Sequence, residues 1–332
     1  MFFRTLRNIK NFLSRKLHGP LEQIVSLWWR DGMEWSDKAM PVLSIIACKM
    51  LEDELTRVLS LDATLRHLIL VDNLDGMGLS RKLRAQNRSH LLVDREEIPD
   101  RIKDLQKDNF GKFMKPLLDG FRFIRGRESE NASEQEHIVV VNVLRMALHS
   151  DGKLIKDEVY KNIRDMSRFS DGILLLYGLC GNSLGDIGND LRDLSCPIYF
   201  LTDRDDKRVD DCIAVALGGN KRYEETLRGF PEVGFFFTPM WAFNWREIEK
   251  EANKSSKSPC LGIMLNSLGY QKVAMLDTGL HYTEDFGAES KVGEFASLYN
   301  LEIVCLQGST EIVDRCYQQA KEGKFDKKPS GL

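Results

Sequence analysis

The feature that most constrains this chain is a series of strand-length runs that are apolar on both faces. "VLSIIA" (42–47), "HLILVD" (67–72), "ILLLY" (173–177), "PIYFL" (197–201), "GFFFT" (234–238), "KVAMLD" (272–277) and "LEIVCL" (301–306) recur along the 332 residues. "HIVVVNV" (137–143) is an eighth. A strand with two apolar faces must be covered on both sides, and a parallel sheet between helical layers does this. Helical patterns lie between the runs. "KMLEDELTRVLS" (49–60) places Met50, Leu51, Leu55, Val58 and Leu59 on one face. Near the end, "STEI" puts Ser309 or Thr310 where an N-cap belongs. Strand and helix alternate, so the expected class is α/β: mostly parallel, Rossmann-like sheet or sheets flanked by helices.

Residues 91–165 break this rhythm. They are dense in Lys, Arg, Asp and Glu, and "RGRESENASEQEH" (125–137) has the composition of a solvated loop. They read as a charged helical insertion between body segments 41–90 and 166–325, with 1–40 as a basic N-terminal extension. In the extension, Phe2, Leu6, Ile9, Phe12, Leu13 and Leu17 recur at helical spacing among Arg4, Arg7, Lys10, Arg15 and Lys16. That amphipathic pattern suits either docking on a protein surface or a peripheral membrane contact through residues 1–18. No continuous apolar core with a small-residue cleavage site marks a secretory signal. Nor does any apolar run reach the roughly 18 residues of a membrane span.

A net charge of -3 gives no general attraction to nucleic acid. Seven cysteines, an odd number, are scattered from Cys48 to Cys316 without framework spacing. The expectation is a cytoplasmic chain with reduced thiols.

Three of those thiols share a position. Cys48 closes the run 42–47, Cys180 follows 173–177, and Cys212 stands where "KRVDDCIAVALGG" turns from polar to helical. In open α/β sheets the functional crevice lies beyond the carboxyl ends of the strands. Three sulfurs meeting there would suit zinc with an open fourth position, or an iron–sulfur cluster with one non-cysteine site. The competing reading is that they are small buried residues at the tips of core strands.

Four stretches carry a resemblance: "IACKMLEDEL" (46–55), "GILLLYGLCGNSLGDI" (172–187), "DDCIAVALGGNKRYEETLRGFPEVGFFFTPMW" (210–241) and "YQKVAMLDTG" (270–279). They are similar to the family called DUF1638, a domain of unknown function found in methanogenic archaea and many bacteria. The Tyr-Gly-Leu-Cys-Gly-Asn string at 177–182 is its most specific part. The resemblance implies that Cys48, Cys180 and Cys212 correspond to the family's motif cysteines. It also implies a role in corrinoid or one-carbon metabolism, since relatives lie beside corrinoid-dependent methyltransferase genes. The sequence departs from the family pattern at Asp210 and Asp75, where relatives carry histidine, at Ser183, and at Met240 before Trp241.

Two functional expectations follow. One is a metal- or iron–sulfur-binding protein acting on a small anionic metabolite. Cys48, Cys180 and Cys212 would be its ligands, and Asp210, Asp211, Asp75 or Asp277 the nearby carboxylate. Arg222, Asn182, Gly181 and Thr278 would contact the metabolite, Arg222 because a guanidinium grips carboxylate or phosphate in bidentate fashion. The other is a non-catalytic accessory module for a corrinoid protein or methyltransferase. Gly178, Gly181, Gly185 and Gly188 fit no phosphate-loop spacing and read as turn formers. The Asp-Thr-Gly at 277–279 has no second copy and sits in an α/β context, which argues against an aspartic protease.

Overall fold

A computed structural model of the chain describes residues 39–107, 136–145, 152–254, 265, 267–280, 282 and 287–323. The chain divides into two compact units, Met1–Ala39 and Met40–Leu332. The proposed amphipathic segment 1–18 lies outside the described residues.

Among the described residues, nine strands build the larger unit. They are β1 (Val42–Cys48), β2 (Leu65–Val71), β3 (Leu91–Val93), β4 (His137–Leu144), β5 (Gly172–Leu176), β6 (Ile198–Phe200), β7 (Val233–Phe237), β8 (Lys272–Asp277) and β9 (Glu302–Gln307). The first six form one sheet in the order β3-β2-β4-β1-β5-β6, and the last three form a second, β7-β8-β9. Every pairing within both sheets is parallel. The α/β, Rossmann-like class is what the two-faced apolar runs require. β1, β4 and β5 are buried along their whole length.

The helices are α1 (Glu52–Leu61), α2 (Met77–Ala85), α3 (Gly152–Met166), α4 (Ile187–Asp190), α5 (Cys212–Leu217), α6 (Asn220–Gly229), α7 (Pro239–Lys254), α8 (Ala288–Tyr299) and α9 (Glu311–Glu322). A further helical run covers 98–107. After the second sheet, α9 returns to pack on α1, β5 and β6. Helix α7 reaches the short 3-10 turn Lys49–Leu51 that follows β1.

The segment 91–165 corrects the expectation of a helical insertion. It supplies β3 and the central strand β4, and α3 packs on β1. Its charged composition comes from its ends and from residues 108–135, outside the described set, whereas "HIVVVNVL" is buried throughout.

A buried polar staple fastens α9 to the amino ends of the strands. Asp62 accepts from Tyr317 Oη at 2.7 Å and from Thr64 Oγ1 at 2.7 Å. Lys321 and His137 each stand 3.2 Å from its carboxylate. Burial pushes the Asp62 carboxyl up, but the His137 imidazole and these hydrogen bonds outweigh it and hold the group well below the usual carboxylate range.

Candidate functional site: a rim of three thiols

The chain leaves β1 for β2 on one side and later returns to β5 on the other, so β1 and β5 meet at a topological switch. The carboxyl ends of such neighbours open a crevice. Cys48 closes β1 here, and Ala47 pairs with Leu176, the last residue of β5. Tyr177, buried, comes next to Cys48 across this pairing.

Beyond Tyr177 the chain makes a left-handed turn. Cys180, Gly181 and Asn182 have φ of 49°, 65° and 66°. A non-glycine residue is held in this region only when its surroundings dictate it. The surroundings are the loop before α5. Leu179 N donates to Val209 O at 2.9 Å, and Cys180 N to Asp210 O at 2.8 Å. Gly178 makes that approach possible: a Cβ there would sit 2.6 Å from Asp211 Cα and 2.7 Å from its nitrogen. The glycine of the Tyr-Gly-Leu-Cys string therefore joins the two cysteine motifs.

Cys212 opens α5 directly after this contact. Asp211 caps the helix, accepting from Ile213 N at 2.9 Å and Ala214 N at 2.8 Å. Trp241 of α7 donates its indole N–H to Cys212 Sγ at 3.2 Å. Cys48 and Cys212 are buried and Cys180 is half-buried.

The three thiols sense one another. Burial raises Cys48 far above its ordinary value, and the charge of Cys180 adds to this, with Glu54 contributing. Burial likewise raises Cys212, followed by Cys48, Asp211 and Cys180. Cys180 is pushed up to about 12 by burial and by Asp211, against the guanidinium of Arg208. All three are neutral thiols near pH 7. The Tyr177 phenol is raised by burial and by Cys48, Cys180 and Asp75. Burial also raises the Asp75 carboxyl.

The sequence-derived candidates separate into two neighbourhoods. Cys48, Cys180, Cys212, Asp75, Asp210, Asp211, Gly181 and Asn182 gather around the rim, with Gly181 and Asn182 exposed on its turn. Asp277, Thr278 and Arg222 stand at the carboxyl end of the second sheet. There Gly308 approaches Thr278, Asp277 O and Ala216 O, so this corner abuts the far end of α5 from Cys212. Arg222 is exposed, reaches Gln307 O at 3.1 Å, and lines a cleft with Lys221, Gly218, Gly219 and Ser309.

Sequence reasoning missed a buried ionic group beside the rim. Glu52, Asp53 and Glu54 form the first turn of α1 and are each 2% exposed. A helix amino end favours such charges. Lys82 of α2 pairs with Asp53 and, at 3.3 Å, with Glu52. Gly78 leaves room for the Glu52 carboxylate, which a Cβ would approach to 2.6 Å. Glu54 is raised to about 8 by burial and by Asp53. The signal lay in "LEDEL", three acids between two buried leucines.

Among the described residues no group of three or more His, Cys, Asp or Glu side chains is arranged to hold a metal ion. Cys48, Cys180 and Cys212 are thus not arranged as such a group. No described helix is long and apolar enough to cross a membrane.

No curated protein and no solved structure matches the chain. The family model described as "Protein of unknown function (DUF1638)" matches residues 143–317, more than half of the sequence, and takes in β5, the left-handed turn, Cys180 and Cys212. On that match the chain belongs to the DUF1638 family.

Proposed function

We propose that the rim is a thiol site for a thiophilic metal ion or iron–sulfur cluster, serving a small anionic metabolite in corrinoid or one-carbon metabolism. One observation carries this reading: thiols from three distant segments lie within electrostatic range of each other at a single switch point. Burial keeps the three thiols protonated, and a soft cation would replace those protons and stabilise the thiolates it creates. Binding would release the thiol protons, and the strained turn at Cys180 is the element that can adjust to draw the sulfurs together. Zinc on three sulfurs keeps one position for water or an anion, and an iron–sulfur cluster would supply electron transfer. Cys48, Cys180 and Cys212 would hold the group, Trp241 would orient Cys212, and Tyr177 and Asp75 would face the ligand as proton-bearing groups. The reading requires reduced thiols, as in a cytoplasm.

The test is anaerobic purification with elemental analysis and a visible spectrum, repeated on Cys180→Ser and Cys212→Ser. Zinc or a sulfur-ligated chromophore that both substitutions abolish supports the proposal. A chain that takes up neither, and shows no thiolate-to-cadmium charge-transfer band on titration, ends it.

A second reading is an accessory module docking on a corrinoid protein or methyltransferase. It is favoured by Leu74, 90% exposed beside Asp75, with Met77 and Leu92 also exposed. Leu74→Asp abolishing co-purification of such a partner while metal content persists would select it.

A further inference from the structure

Arg208 and Arg315 are the two arginines, among the described residues, that carry a buried nitrogen without a hydrogen-bond partner, and Arg208 is the one fastened to the rim. Arg57, Arg95, Arg164, Arg204 and Arg246 each face a carboxylate. Among the described residues Arg208 faces none. Its guanidinium lies on the ring of Phe200, 4.3 Å from the centroid, and Nη1 donates to Leu184 O at 2.9 Å and Gly185 O at 3.2 Å. Nη2 is buried and donates to nothing among the described residues. The backbone is equally fixed: Arg208 bridges to Thr202, and Arg208 O accepts from Asn220 Nδ2 at 2.9 Å. The ionisable groups that sense it are the Tyr160 phenol and the Cys180 thiol, both held neutral near pH 7.

A partly buried cation without a counter-ion, carrying a buried donor without an acceptor, needs an explanation. The carbonyls of Leu184 and Gly185 belong to the segment that continues the Cys180 turn, so the cation is fastened to the rim itself. We infer that Arg208 is the anion anchor of the thiol rim, taking the carboxylate or phosphate-like group of a small ligand whose other end reaches Cys180. This rests on the thiol-site reading and replaces Arg222 in the anchoring role. Arg222 is exposed, spends one nitrogen on Gln307 O, and sits by the opposite end of α5. A planar fork on an aromatic face is suited to an anionic group of fixed orientation, which excludes neutral ligands as the preferred class.

The test uses the full-length chain, reduced and freed of metal by a chelator. Its readout is the ratio of alkylation rates at Cys180 by iodoacetate and by iodoacetamide, followed by mass spectrometry. Both reagents need the same thiolate, so the ratio cancels thiol ionisation and reports attraction for the anionic reagent. Arg208→Gln is expected to lower the ratio about fivefold, the scale of one ion pair. Arg208→Lys should keep most of it, and Arg222→Gln should leave it within about twofold. In the unmodified protein, inorganic phosphate should slow iodoacetate more than iodoacetamide, which checks the anchor without any substitution. The inference falls if Arg208→Gln leaves the ratio unchanged, if Arg222→Gln lowers it as much, or if Cys180 reacts with neither reagent. Metal uptake measured on the same preparations decides the thiol-site reading separately, so the two can fail apart.

Discussion

The indole N–H of Trp241 donates to the sulfur of Cys212 across 3.2 Å, tying helix α7 to the thiol rim. Outer hydrogen bonds of this kind commonly tune a metal-binding sulfur, at about tenfold or more in affinity. Trp241→Phe is expected to weaken cadmium binding by roughly tenfold and to remove most of the fluorescence response to the titration. Equal affinities in the two proteins would show that the indole does not act on a metal-binding sulfur.

Gly178 and Gly181 should respond differently to alanine. At Gly178 the new methyl meets backbone of Asp211 at 2.6 Å, and neither chain can yield without parting the two cysteine loops. Gly178→Ala is expected to cost about 3 kcal/mol in urea unfolding. At Gly181 space is open and only the φ of 65° resists, so Gly181→Ala should cost about 1 kcal/mol. Similar losses at both positions would contradict the close approach.

Glu54 gives stability a dependence on pH. Its folded value of about 8 lies above the unfolded one, which is roughly 4.3. Between those values the folded state binds more protons, so stability falls as pH rises through that window. Glu54→Gln should flatten this limb and be more stable than the parent at pH 8, with the difference closing near pH 5. Parallel melting-temperature curves would show that the carboxyl is not buried as a neutral acid.

The Asp62 staple acts with the opposite sign. Its folded value lies below the unfolded one, so its contribution is present above about pH 4 and is lost as pH falls below that. Asp62→Asn leaves Lys321 and His137 without their shared carboxylate and is expected to cost about 3 kcal/mol at pH 7. The gap from the parent should narrow under acid. A constant gap down to pH 3 would separate Asp62 from the acid limb.

The fold was legible because burial on two faces writes itself into sequence as an unbroken apolar run. Six long strands and β6 were found that way, with β4 recognisable in "HIVVVNV" even inside a charged stretch; β9 was found from its apolar run although it is largely exposed. β3 was not, since Leu91–Val93 is too short to carry a period. Cys48, Cys180 and Cys212 were placed at strand ends from the sequence; the structure brings the Cys180 and Cys212 loops into contact and shows no metal-holding group among the described residues. Arg208 was not readable, because a charged residue in a polar turn carries no mark of burial along the chain; for Glu54 the faint mark was its place between leucines in "LEDEL". Only the packing of Phe200 under Arg208, and of α1 against α2, takes them out of water. Arg222 was readable as a basic residue beside glycines, and it lines a cleft at the far end of α5 from Cys212.

The return of α9 onto α1, β5 and β6 has a consequence for biosynthesis. A ribosome delivers the segments bearing Cys48, Cys180 and Cys212 well before the helix that covers the first sheet leaves the exit tunnel. The nascent polypeptide therefore passes through a stage with the strands of the first sheet made and α9 still missing from α1, β5 and β6. Until that helix arrives, the face it covers on α1, β5 and β6 stays bare to solvent.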